Sequence, residues 1–248
     1  FGALLGLFYL LAGRTSFRPQ VRHIVPDWGI LRDIYRVGFP ASIQEFTESL
    51  AFILFNRVVS VYGSVAIAAV GLAIRVSDLL FMPIIGVSNA LLPVIGFNYG
   101  AGNEKRLWRA AWLTSAGIAV LLGVFTIFIE TLTPQIIRLF TSEPEVVATT
   151  VPAMRIMLST LVFIGPSIMF ITVFQGLSRG TMALFLSLTR QFLLFVPALY
   201  LLRHLWGLTG VWLALPVSDV LSFLLTFAFI YREYRRRQQA TLAGEQRT

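Results

Sequence analysis

The stretch Gly38–Gly63 reads GFPASIQEFTESLAFILFNRVVSVYG. Its second half is dense in Leu, Ile, Phe and Val, and the whole exceeds the roughly 20 residues a helix needs to cross a bilayer. Yet its first half carries Glu45 and Glu48. A charged side chain at the centre of a bilayer costs about 2.5–3.5 kcal/mol on insertion scales. Acids kept at that cost face a protein interior or a watery cavity, where they mark ion and substrate pathways. The segment therefore reads as a membrane span with a functional polar face.

Composition extends this reading to the rest of the chain. Of 248 residues, 56% are hydrophobic and 13% charged, with 21 Phe. A soluble domain carries about 25% charged residues, so a polytopic, all-α membrane protein is expected, because lipid satisfies no open strand edge. Without cysteine, and with only His23 and His204 as imidazoles, neither a metal site nor another bound cofactor is expected. The net charge of +8 does not point to nucleic acid, because the arginines flank apolar spans instead of forming one patch with interleaved aromatics. Paired histidines, an aspartate-rich metal motif and a nucleophile with a base are all lacking, so an enzyme is not expected.

Four segments follow in order. Residues 1–13, FGALLGLFYLLAG, are too short to span and read as the end of a helix begun upstream. Residues 14–37 read as a cytoplasmic linker, in which DWGILRDIYRV forms a short amphipathic helix anchored by Trp28. Residues 38–231 hold six spans, near 38–62, 66–98, 107–130, 148–176, 181–202 and 207–231. Residues 232–248 form a basic tail. Fourteen of the 20 Lys and Arg fall on one side of this arrangement, before the first span, between the second and third, at Arg179 and in the tail; only Arg138 and Arg203 lie in loops on the other. That bias makes the tail cytoplasmic. Pro83 and Pro93 should bend the long second span, and Pro152, Pro166, Pro197 and Pro216 interrupt others as packing kinks or hinges.

At about 1.5 Å per residue, Glu48, Asp78 and Asp219 all fall near mid-depth. Gln44, Glu45, Glu48 and Asn56 share about a third of the first helix's circumference. Arg75 and Asp78, three residues apart, are expected to form a buried ion pair. Asp219 has two candidate partners, Arg190 and Arg155. A mid-depth carboxylate that is alternately protonated and charged suits a cation-coupled transporter, with proton and cationic substrate competing for it.

The chain resembles the C-terminal lobe of the bacterial MATE family of multidrug and toxic compound extrusion transporters. The resemblance rests on GFPASIQ at 38–44, with Gly38 and Pro40, and on RVSDLLFMPIIGVSNALLPVIGFNYGAGN at 75–103, with Gly96, Asn98, Gly100 and Ala101. It rests also on FQGLSRG at 174–180, LTRQFLLFVPALYLL at 188–202 and GLTGVWLALPVSD at 207–219. It implies that the six spans are helices seven to twelve of a two-lobe protein in the bacterial inner (plasma) membrane. The partner would be an N-terminal six-helix lobe outside this sequence. It implies efflux of drug-like, often cationic organic molecules by antiport with H⁺ or Na⁺. Glu48 falls at the position of a seventh-helix glutamate that binds cations in some members. The acid those members add in the tenth helix has no counterpart in residues 148–176, which puts an Na⁺ site of that kind in doubt. Two other readings stand beside export: a flippase of lipid-linked oligosaccharide, favoured by a cavity dominated by Arg75, Arg155 and Arg190, and a non-transporting membrane partner subunit.

Overall fold

The computed structural model describes residues 27–245. The expected helix end at 1–13, most of the linker with Arg14, Arg18 and Arg22, and Arg247 lie outside the described residues. The chain divides into two units, Phe1–Pro40 and Ala41–Thr248. The helices are α1 (Trp28–Ser60), α2 (Ser64–Gly100), α3 (Glu104–Arg138), α4 (Pro144–Leu158), α5 (Leu161–Gly176), α6 (Gly180–Leu188), a π-helical segment (Thr189–Leu194) and α7 (Phe195–Glu245). Among the described residues there is no strand.

Trp28–Ser60 form one helix, α1, whose opening turns are the WGILRDIYRV residues. The apolar face of α3 likewise continues past residue 130: Ile129, Thr133 and Ile137 are buried at four-residue spacing, which carries the helix to Arg138. The segment after 231 is helical to Glu245, so the first turns of the expected tail are structured.

Two connections show local sequence dictating the turn. After α2, Gly102 takes φ 67°, a left-handed conformation open to glycine at little cost. The amides of Ala101, Gly102 and Asn103 close onto the carbonyls of Phe97, Tyr99 and Asn98. Asn103 then caps α3, its side chain accepting from the Arg106 amide at 3.1 Å. The second turn lies inside α7, where Trp206 and Gly207 leave helical geometry and Gly207 has φ 57°. Here the chain reverses. Arg190 and Asp219 would be roughly 43 Å apart on one straight helix, yet their side chains meet at 2.9 Å. The reversal falls where the sixth span is expected to begin.

The fourth span is broken. α4 and α5 meet at Ser159–Thr160 with a 43° bend. No proline sits at the break; the Ser159 hydroxyl donates back to the Ile156 carbonyl at 2.8 Å, the kind of local bond that bends helices. α5 is buried on every side and packs against α2, α3 and α7. Its glycines permit this: a Cβ at Gly176 would lie 2.6 Å from Ile95 Cγ2, and one at Gly165 would lie 2.5 Å from Leu122 Cδ1. Across the same contact the hydroxyls of Ser88 and Thr172 are 2.6 Å apart.

Among the described residues three helical stretches are long and apolar enough to cross a membrane, Ser64–Gly100, Glu104–Arg138 and Gly180–Gln239, and the bent α4–α5 pair makes a fourth. The stretch Gly180–Gln239 folds back at Trp206–Gly207 and supplies two limbs. α1 is not among these stretches, its apolar run being interrupted by Glu45, Glu48 and Arg57.

Candidate functional site

The polar groups sort into three places. The first lies inside the bundle, at the expected mid-depth. Asp219, 3% exposed, accepts a hydrogen bond from Arg190 Nη1 at 2.9 Å; Arg190 is 18% exposed. Arg190 stands in the π segment, a distortion that recurs at functional sites. The buried Thr160 hydroxyl, at the break between α4 and α5, approaches Asp219 without completing a hydrogen bond. Of the two partners open to Asp219 the fold selects Arg190. Arg155 instead faces Glu130, at 3.7 Å with both side chains about two-fifths exposed.

The second place is the outward side of α1 and α2. In α1, Ala51, Phe55, Val58 and Val59 are buried, and Phe55 meets Phe195 with ring centroids 5.9 Å apart. No residue from Ser42 to Leu50 is buried: Glu45 and Glu48 are exposed and Gln44 is half-buried. Asn56, on the same face, satisfies itself by donating to the Phe52 carbonyl at 3.0 Å. On α2, Arg75 and Asp78 are both exposed and do not form the buried pair expected of them, since the ion pairs among the described residues involve neither. Arg75 precedes Asp78, the less favourable order for a helical ion pair, and both side chains are exposed, so no burial forces them together. Glu45, Glu48, Arg75 and Asp78 thus carry charge on surfaces that this chain leaves uncovered.

The third place was not foreseen beyond its family motif. At the end where α2, α3 and α7 approach one another, Arg237 Nη1 donates to Glu104 at 2.8 Å and its Nε donates to Glu233 at 2.6 Å. Arg179 donates to the other Glu233 oxygen at 2.6 Å, and Trp108 Nε1 to the other Glu104 oxygen at 3.0 Å. The Arg237 guanidinium lies 4.9 Å from the Tyr99 ring centroid. Burial acts to lower the Arg237 pKa, but hydrogen bonds with Glu233, Tyr99 and Glu104 outweigh it and raise the value. Because the shift is upward, the stabilisation is fully present below the ordinary arginine value and is lost only in strong alkali. It is constant across the neutral range. The signal for this cluster was the i,i+4 spacing of Glu104 with Trp108 and of Glu233 with Arg237, hidden in what read as topology-setting charge.

The family-motif residues fall beside this cluster or within α1. Gly38 and Pro40 lie in α1. Asn98 is buried, donating to the Val94 carbonyl at 2.7 Å. Gly96 lies near the Gly176 carbonyl, while a side chain at Gly100 would meet nothing within 4 Å, and Ala101 is the helical C-cap. The glycine that the backbone demands is Gly102.

A family model described as MatE matches residues 40–201. The chain is 25% identical over 229 residues to "Multidrug export protein MepA" of Staphylococcus haemolyticus, covering 91% of this chain and 50% of that protein. It is 30% identical over 144 residues to "Probable multidrug resistance protein NorM" of Thermotoga maritima, covering 57% of this chain and 30% of that one. Among solved structures, "Crystal structure of MATE in complex with MaL6" superposes with a TM-score of 0.83 at 26% identity, covering 95% of this chain and 54% of that one. A MOP superfamily transporter from Pyrococcus furiosus, reported under the words "reverse polarity of binding pocket suggests different function", superposes at 0.82 with 26% identity, over 94% and 53%. The chain spans about half the length of the curated relatives it matches. With the model matched over more than half of its residues, and with the same helical architecture in the solved relatives, the chain belongs to the MatE family.

Proposed function

We propose that the chain forms one six-helix lobe of a two-lobe secondary transporter that exports drug-like, positively charged organic molecules. Inward movement of H⁺ or Na⁺ through the same protein supplies the energy. The membrane is a bacterial plasma membrane and the α7 C-terminus is cytoplasmic, as the charge asymmetry of the loops supports.

The observation that carries this reading is which charges remain unpaired. Arg155 is engaged by Glu130 and Arg190 by Asp219. Of the three arginines that an anionic lipid-linked substrate would need, only Arg75 is left without an acidic partner among the described residues. Against it stand Glu45, Glu48 and Asp78, exposed on α1 and α2 and, among the described residues, without a basic partner. An acidic balance on these two helices favours organic cations over anions. Covered by a second lobe, these carboxylates would stand in a low-dielectric cavity, where the charged form is favoured by a bound cation and disfavoured without one. Proton and cargo would then exclude each other, which couples their opposite movements.

The test is efflux of ethidium from cells expressing the two-lobe protein, wild type against Glu48→Gln, under an H⁺ gradient and an Na⁺ gradient imposed separately. Loss of gradient-driven efflux in the variant supports the assignment. Undiminished efflux that still follows the gradient removes Glu48 from the coupling step.

A further inference from the structure

The exposed side of α3 carries a pattern that transport does not require. Its first turns line a concavity of about 630 Å³ formed by Asn103, Lys105, Arg106, Arg109, Ala110 and Leu113. None of the three cations has an acidic partner among the described residues. The carboxylate beside them is spent, because Glu104 gives one oxygen to Arg237 and the other to Trp108. The concavity is therefore positive with no internal counter-charge.

Below the cations the same stripe turns apolar. At 100° per residue, Lys105, Arg109, Leu113, Ala116 and Val120 fall within about 80° of the helix circumference, with Arg106 at the margin. Leu113 is 62% exposed and Val120 68% exposed. The opposite face, with Leu107, Trp108, Ala111, Ile118 and Leu122, is the one packed into the bundle. From Arg109 to Val120 the helix rises about 16 Å, close to half of the roughly 30 Å hydrocarbon core. The stripe thus offers positive charge at headgroup level and unbroken apolar surface for one leaflet.

We propose that this face of α3 is a binding site for an anionic phospholipid. The phosphate would be held by Lys105, Arg106 and Arg109, and an acyl chain would lie along Leu113, Ala116 and Val120. Charge complementarity commits the occupant: an uncompensated triple cation at the interface, above a stripe without hydrogen-bonding groups, suits a lipid with a net negative headgroup better than a zwitterionic one or a polar partner protein. The inference stands whether or not the chain transports.

The experiment uses the purified full chain in neutral detergent, titrated with dioleoyl-phosphatidylglycerol, with dioleoyl-phosphatidylcholine and with inorganic phosphate, following thermal stability and lipid retention by native mass spectrometry. The proteins are wild type, the triple variant K105Q/R106Q/R109Q, the charge-conserving K105R/R106K/R109K, and a control triple in α7, R232Q/R235Q/R236Q. At low salt the expected result is raised stability and retained phosphatidylglycerol for wild type, the charge-conserving variant and the α7 control. The glutamine triple should bind on the order of a hundredfold more weakly, from the attraction of roughly three interfacial cations. Equal responses of wild type and glutamine triple overturn the proposal, as does equal stabilisation by phosphatidylcholine. Stabilisation by inorganic phosphate at the same concentration overturns the lipid as the occupant.

Discussion

Removing the carboxylate of Asp219 is the substitution with the clearest structural consequence. Asp219→Asn preserves shape and leaves Arg190 charged, four-fifths covered and without its 2.9 Å partner. Breaking a buried pair by deleting one member costs about 3–5 kcal/mol. Because Arg190 keeps 18% exposure, the lower end applies. A loss of about 3 kcal/mol shifts the unfolding equilibrium roughly a hundredfold. Arg190→Met alone should cost a similar amount. The double change Arg190→Met with Asp219→Leu should return to within about 1 kcal/mol of wild type, since replacing both charges by apolar groups avoids the burial penalty. With Asp219→Leu alone closing the cycle at a similar cost of about 3 kcal/mol, the coupling should be about 5 kcal/mol. The assay is dodecyl sulfate unfolding of the protein in mild detergent, followed by circular dichroism. If Asp219→Asn unfolds within about 0.5 kcal/mol of wild type, or if the two single losses simply add, the pair does not hold the reversed limbs together.

Further predictions concern packing and the Arg237 cluster. Gly176→Ala should cost about 1–3 kcal/mol by overpacking, more than Gly165→Ala, because its Cβ meets the rigid branched stem of Ile95 whereas Gly165 faces chiefly the tip of Leu122; thermal unfolding of the two variants tests the order. Arg237→Lys should lower thermal stability nearly as much as Arg237→Met, because one ammonium cannot reproduce the fork that reaches Glu104 and Glu233 together. The stability difference between Arg237→Met and wild type should stay constant across the neutral pH range, since the raised Arg237 pKa keeps that group charged throughout.

The fold was legible where hydropathy and charge act alone. The apolar run at 66–98 falls inside α2 (Ser64–Gly100) and that at 107–130 inside α3 (Glu104–Arg138). Gly207, read as the start of the last span, is where the chain reverses. What escaped was whatever depends on packing between helices. The break at Ser159–Thr160 carries no proline, and nothing in TRQFLL announces a π segment. The expected Arg75–Asp78 pair rested on helix spacing alone, and the structure leaves both side chains exposed on α2. Asp219 was recognised as mid-depth, but its choice between Arg190 and Arg155 required the fold. The two i,i+4 pairs of the Arg237 cluster could be read locally, but their union through Arg237 and Glu104, 133 positions apart, required the fold.

The central claim is that unpaired acids on α1 and α2 recognise a cationic cargo. It is tested most directly by equilibrium binding of ethidium to the purified two-lobe protein, read by fluorescence anisotropy for wild type and Glu48→Gln. The account predicts that the variant binds at least about tenfold more weakly, a loss of roughly 1.4 kcal/mol. Equal affinity in the two proteins would contradict it.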